Sequence, residues 1–173
     1  MALIDTPNEQ GKTRIRGNGE DNQFERIELA VHYKIIEDRI MKNQLRVLCV
    51  DDDDTCELLT ATLGFSNIEV KSAHTVADAW RLAQTEPFDL YLLETRLPDG
   101  NGFDLCRRLH RFAPRTPIIF YSSEAYPIDR QKGLAAGAVD YLTKPYFADL
   151  TVTIRQNIEQ TKKLERQTET INV

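Results

Sequence analysis

Four carboxylates stand side by side at Asp51, Asp52, Asp53 and Asp54, directly after an apolar run. Further along, Glu94 ends a second apolar run, Ser122 and Ser123 end a third, and Lys144 followed by Pro145 ends a fourth. Clustered carboxylates suit a hard cation such as Mg²⁺, which prefers oxygen ligands and usually takes one or two carboxylates and several waters. A hydroxyl and an ammonium on neighbouring segments are what a tetrahedral anion needs for neutralisation, and a carboxylate standing in for one needs the same. No single residue here is diagnostic, because an acidic run at a strand end is often a solvated cap. The order and placement carry the signal, and these depend on the elements that hold the residues.

Those elements read as repeated strand–helix units over residues 45–160. Leu45–Val50 is a continuous apolar strand, the pattern expected when both sheet faces are covered. Residues 54–63 are helical, with Gly64 as a stop, and a short strand is expected over 68–70. Thr75 caps a helix through about Gln84 that buries Val76, Ala79, Trp80 and Ala83. Residues 89–93 form a third strand, Gly102–Phe112 a helix, and 117–121 a fourth strand. A short helix enters at Pro127 and ends near Gly137, residues 139–143 form the fifth strand, and a last helix starts near Phe147. Alternating strands and helices of this kind imply a doubly wound five-stranded parallel sheet with right-handed crossovers. Functional groups then gather at the carboxyl ends of the strands, where the residues named above fall.

The flanks differ. Residues 1–22 carry Pro, Gly, Asn and charge without apolar periodicity and are expected to be a disordered tail. Residues 23–44 form an amphipathic helix with Phe24, Ile27, Val31 and Ile35 in one stripe and Leu29, Tyr33, Ile36 and Ile40 beside it. So wide a face must be buried, either against its own domain or as a homodimer or partner helix. At the other end, 161–173 are a polar extension of the last helix, with no helix-turn-helix composition; the expected output is a protein contact. A net charge of −5 gives no footprint for nucleic acid. The apolar runs are strand-length, well under the roughly 20 residues of a membrane span, and the N-terminus lacks a secretion signal. Cys49, Cys56 and Cys106 form no CxxC, which suits reduced structural thiols and a cytoplasmic setting. His32, His74 and His110 fall in separate elements without metal-ligand or triad spacing, so no enzyme is expected.

The segments LRVLCVDDDD, FDLYLLETRLPDGNGFDL, TPIIFYSS and GAVDYLTKPY resemble the successive signatures of response-regulator receiver domains. The resemblance implies a flavodoxin-like (CheY-like) α/β fold, to which residues 23–44 add an extra N-terminal helix, and an acidic Mg²⁺ pocket from Asp51 and Asp52. It implies that Lys144 contacts a phosphoryl group, with a cis Lys144–Pro145 peptide. Ser122 falls at the switch hydroxyl and Tyr141 at the aromatic whose rotation reports activation. A sensor kinase or a downstream signalling protein is the implied partner.

One position departs from that family pattern. The family accepts phosphate on an aspartate where this chain has Glu94. The extra methylene moves the carboxylate by more than about an ångström, enough to spoil an in-line attack. The same reach brings the carboxylate near where phosphoryl oxygens would lie, beside Lys144 and Ser122, with a charge of −1 against roughly −2. The expected function is therefore a pseudo-receiver working through protein–protein interaction. The alternative is a working phosphorelay receiver using Glu94 or a neighbouring Asp. A nucleotide binder would need a Gly-rich first turn, and the first turn here is DDDDTC. Ser123, in place of a smaller residue, crowds the approach to the pocket, and Arg96 is expected to pair with Glu94 or another acidic neighbour.

Overall fold

The computed structural model describes residues 44–145 and 149–171; the expected N-terminal tail and amphipathic helix lie outside them. The elements run β1 (Leu45–Val50), α1 (Asp53–Gly64), β2 (Ile68–Ala73), α2 (Val76–Thr85) and β3 (Leu90–Leu93). Then come β4 (Arg96–Leu97), β5 (Gly100–Asn101), α3 (Gly102–Phe112), β6 (Ile118–Ser122), α4 (Pro127–Ala135), β7 (Asp140–Thr143) and α5 (Leu150–Ile171). The main sheet has the order β2-β1-β3-β6-β7, and all its neighbours are parallel. This is the flavodoxin-like doubly wound sheet.

Its central strands β1, β3 and β6 are largely apolar on both faces because helices cover both faces. Leu48, Val50, Tyr91, Leu93, Ile118 and Phe120 pack in one cluster with Ala79 and Leu82 of α2 and Leu105 and Leu109 of α3. Their chain neighbours Val47, Cys49, Leu90, Leu92, Ile119 and Tyr121 pack in the other, with Leu59 and Leu63 of α1 and Ile154 and Ile158 of α5. The alternation is the period of two that a pleated strand imposes. Each fully buried Leu or Ile contributes about 1.5–3 kcal/mol of transfer free energy.

Helix starts follow the side chains at their caps. Asp52 accepts from Thr55 N–H at the head of α1, Thr75 from Asp78 N–H at α2, and Asn101 from Phe103 N–H at α3. Pro127 supplies the first turn of α4, whose N-terminus has no side-chain cap. α1 ends at Gly64, as expected, and the left-handed residue beyond it is Asn67, at φ 55°. One detail differs from the expectation. The second strand runs on to Ala73 through Lys71 and Ser72, whose polarity is tolerated because β2 is an edge strand with one neighbour. The hairpin β4–β5, pairing Arg96 with Asn101 and Leu97 with Gly100, was not expected, since two-residue strands are too short for a periodic signal. Among the described residues, no helix is long and apolar enough to cross a membrane.

Candidate functional site

Three strand ends converge on one ammonium. The sheet ladder continues past β1 and β3, with Asp51 N–H on Ala73 O at 3.1 Å and Glu94 N–H on Val50 O at 2.9 Å. Lys144 N–H bonds Ser122 O at 2.8 Å just past β7, and the Lys144–Pro145 peptide is cis. These backbone contacts bring Lys144 Nζ to 2.6 Å from Asp51 Oδ2 and 2.9 Å from Glu94 Oε2. The three side chains are enclosed: Asp51 is 4% exposed, Glu94 14% and Lys144 15%.

Both oxygens of Glu94 are occupied. Oε2 faces Lys144, while Oε1 accepts from Ser122 Oγ–H, from Thr95 N–H at 2.5 Å and from Thr95 Oγ1–H at 2.9 Å. Thr95 Oγ1 also lies 3.0 Å from Ser122 Oγ, and Ser122 Oγ accepts from Glu124 N–H at 3.1 Å. Gly102 lets α3 start directly against this strand end: its N–H donates to Thr95 O at 2.8 Å, and a Cβ there would collide with Glu94 O. Tyr141 is buried against Phe120, its hydroxyl donating to Glu124 O at 2.7 Å. Gly133 leaves the room this ring needs, since a Cβ there would meet both Phe120 and Tyr141. A continuous path thus links Glu94 through Ser122 and Glu124 to Tyr141.

Above the carboxylates lies an open cleft of about 600 Å³, lined by Asp51, Asp52, Asp53, His74, Glu94, Arg96, Ser123, Glu124 and Lys144 among others. Arg96 pairs with Glu124 at its mouth, an acidic neighbour other than Glu94. Thr95, Glu124, Thr55 and His74 join the site without having been singled out for it. A hydroxyl directly after a strand is too common to mark Thr95, and His74 reaches the cleft only because β2 lies beside β1. Its Nδ1 lies 2.9 Å from Asp51 O and its Nε2 3.1 Å from Asp53 Oδ1.

The electrostatics reflect two carboxylates sharing one ammonium. Burial opposes ionisation of Glu94, but hydrogen bonds from Ser122, Lys144 and Thr95 outweigh it and hold the carboxyl below the usual glutamate value. Burial dominates at Asp51 and pushes its carboxyl up, against the hydrogen bond from Lys144. For Lys144, burial is outweighed by its bonds to Asp51 and Glu94, so the ammonium is held above the usual lysine value. The Asp51–Lys144 contact therefore stabilises the lysine's charge without fully offsetting the desolvation of the more deeply buried aspartate.

These shifts give a pH signature. With its folded pKa below the unfolded one, Glu94 contributes stability that is complete above about pH 4.3 and lost as pH falls through the folded value. Asp51 has the opposite sign: acidification protonates it in the folded protein first, which favours folding. Urea unfolding across the carboxylate range should show Glu94→Gln losing the steep acid-side decline, and Asp51→Asn losing the earlier rise. Identical profiles for the variants and the parent would remove these two residues from the acid response.

The donors suit Mg²⁺ in kind, being hard carboxylate oxygens beside an open cleft with room for an ion and its waters. Glu94 faces Lys144 through Oε2, Asp51 faces it through Oδ2 and accepts from Asp52 N–H through Oδ1, and Asp52 keeps one oxygen beyond the one that caps α1. Asp52 through that oxygen, and Asp51 by sharing an oxygen with its present partner, would hold the ion, which would supply countercharge beside that of Lys144. Among the described residues, no group of three or more His, Cys, Asp or Glu stands ready to hold a metal by itself.

Residues 47–155 match the response regulator receiver domain family. The chain is 39% identical over 105 residues to the response regulator protein PilR of Pseudomonas aeruginosa, a match covering 61% of this chain and 24% of that protein. It is 36% identical over 113 residues to the transcriptional regulatory protein CusR of Escherichia coli K12, covering 64% and 50%. The chain thus spans half or less of the length of these relatives. A solved response regulator receiver domain protein from Methanospirillum hungatei JF-1 superposes with a TM-score of 0.66 at 29% identity, covering 70% of this chain and 98% of that one.

Proposed function

The chain belongs to the response regulator receiver domain family, and from that premise we propose that it signals as a pseudo-receiver whose phosphoacceptor position is filled by the Glu94 carboxylate. Receiver domains act in two-component signalling. What is particular here is that Glu94 holds Lys144 with one oxygen and Ser122 with the other. That single observation carries the reading. In the family, the lysine and the switch hydroxyl are the groups that meet a phosphoryl group, and here a protein carboxylate already meets both.

The consequence is a domain whose switch is set by its own sequence. Ser122 is drawn to Glu94, Glu124 N–H follows Ser122, and the Tyr141 hydroxyl closes on Glu124 O. With Tyr141 buried, the surface around α4 and β7 is presented in one arrangement, and its partner is a sensor kinase or a downstream signalling protein. Mg²⁺ held by Asp51 and Asp52 would add countercharge to the cleft without being needed for the Glu94 contacts.

The test is direct. The purified chain, incubated with acetyl phosphate and Mg²⁺, should show an unchanged intact mass. A stable gain of one phosphoryl group would sink the pseudo-receiver reading and favour a phosphorelay receiver using Glu94 or a neighbouring aspartate.

A further inference from the structure

Behind the acidic run, two thiols face each other between sheet and helix. Cys49 lies on β1 and Cys56 on α1, each only 1% exposed, and their sulfurs are 3.4 Å apart. Cys56 Sγ also lies 3.8 Å from the carbonyl oxygens of Cys49 and Asp51. The two residues bracket the segment that carries Asp51, Asp52 and Thr55, and Thr55 Oγ1 is 3.5 Å from Lys144 Nζ. We propose that Cys49 and Cys56 form a reversible dithiol–disulfide couple, a redox-modification site that staples the first turn of α1 to β1 behind the Glu94 pocket.

The geometry asks for little movement. A disulfide bond of about 2.05 Å requires the sulfurs to close by roughly 1.4 Å, a distance that side-chain rotation and a small shift of the first turn of α1 supply. Cys56 sits at the start of α1, the segment whose opening admits an oxidant, while Cys49 is fixed in β1 between two paired strands. Cys56 is therefore the attacking sulfur and Cys49 the one that resolves.

The oxidant is a low-molecular-weight disulfide. The Cys56 thiolate attacks one of its sulfurs, forming a mixed disulfide and expelling one small thiolate. Cys49 then loses its proton and attacks the Cys56 sulfur, expelling the second. The two protein thiols are oxidised by two electrons in total, and the small disulfide is reduced to two thiols. Access comes through local opening of the first turn of α1, whose Asp53 and Asp54 are exposed and whose cap is the Asp52–Thr55 hydrogen bond at 2.8 Å.

Cys106 is a built-in control. It packs in the cluster on the opposite face of the sheet, its Sγ 3.5 Å from Ala136 O, and burial pushes its thiol up to about 12.

The experiment treats the full chain, natively and without denaturant, with oxidised glutathione, then denatures it, alkylates with iodoacetamide and measures intact mass. The expected result is that two of the three free thiols escape alkylation, the protein loses two hydrogens, and a peptide map links Cys49 to Cys56. Dithiothreitol should restore alkylation of all three. Three alkylated cysteines, a retained glutathione, a link involving Cys106, or oxidation only in denaturant would each overturn the proposal. Cys49→Ser should stop at a glutathione mixed disulfide on Cys56. Should that variant not fold, Cys106→Ser decides independently: after oxidation it should offer no alkylation site, and two remaining sites would overturn the couple.

Discussion

Glu94→Asp should take up one phosphoryl group from acetyl phosphate in Mg²⁺, at a rate at least about 10²-fold above the parent chain. The substitution shortens the side chain by one methylene and leaves its charge unchanged. An aspartate carboxylate at the end of β3 withdraws from the positions that now meet Ser122 and Lys144, 2.9 Å away in the latter case, and leaves the space between them to an incoming phosphoryl group. The surrounding groups need no rebuilding. Lys144 is still fixed by Asp51 at 2.6 Å, Ser122 by the Glu124 N–H at 3.1 Å, and Asp51 and Asp52 still line the cleft. Misplacement of a reacting atom by about 1 Å costs on the order of 10²-fold in rate, so correcting it should recover at least that. Intact mass against time, for both proteins in parallel, reads the result. An inert Glu94→Asp would mean that more of the pocket than one methylene has diverged; a parent chain that phosphorylates equally well would instead show that Glu94 never blocked the chemistry.

The fold was legible because its strands declare themselves. Apolar runs with no alternation, at Leu45–Val50 and Leu90–Leu93, are what a sheet covered on both faces requires, and the helix starts were marked by Thr75 and Pro127. The positions of Asp51, Glu94, Ser122 and Lys144 were legible for a related reason: all four fall at the carboxyl ends of strands, where such a sheet gathers its polar groups. What escaped was whatever depends on angle and not on position along the chain. Nothing about Thr95 in the sequence says that its hydroxyl turns inward to the Glu94 carboxylate and Ser122. Nor does the acidic loop announce that Asp99 is spent on the N-terminus of α2, accepting from Val76 N–H at 2.7 Å and Ala77 N–H at 3.0 Å. The Cys49–Cys56 contact was hidden similarly, because it needs the strand-to-helix turn to fold back before the thiols meet.

Lys144→Met should be the most destabilising single change in the pocket, costing about 3–5 kcal/mol. The lysine is the ammonium shared by Asp51 and Glu94, and removing it leaves two enclosed carboxylates facing each other without countercharge. Neither can turn to water easily: Asp51 Oδ1 is held by Asp52 N–H at 2.8 Å, and Glu94 Oε1 is held by Ser122 and Thr95. Glu94→Gln should cost less, although it removes the same contact. The amide oxygen can still accept from Ser122 and Thr95, and Asp51 and Lys144 then balance one charge against one. Charged hydrogen bonds are worth roughly 1.5–3 kcal/mol, and relief of the carboxylate–carboxylate repulsion offsets part of that loss. The double variant tests the reasoning most sharply. Adding Glu94→Gln to Lys144→Met removes one of the stranded charges, so the pair should be more stable than Lys144→Met alone. Urea denaturation of the three variants and the parent gives the comparison, and thermal melting should show a drop in Tm on the order of 10 °C for Lys144→Met. A double variant whose loss is simply the sum of the two single losses would mean that Lys144 and Glu94 act independently, and the clamp that defines the proposed function would not exist.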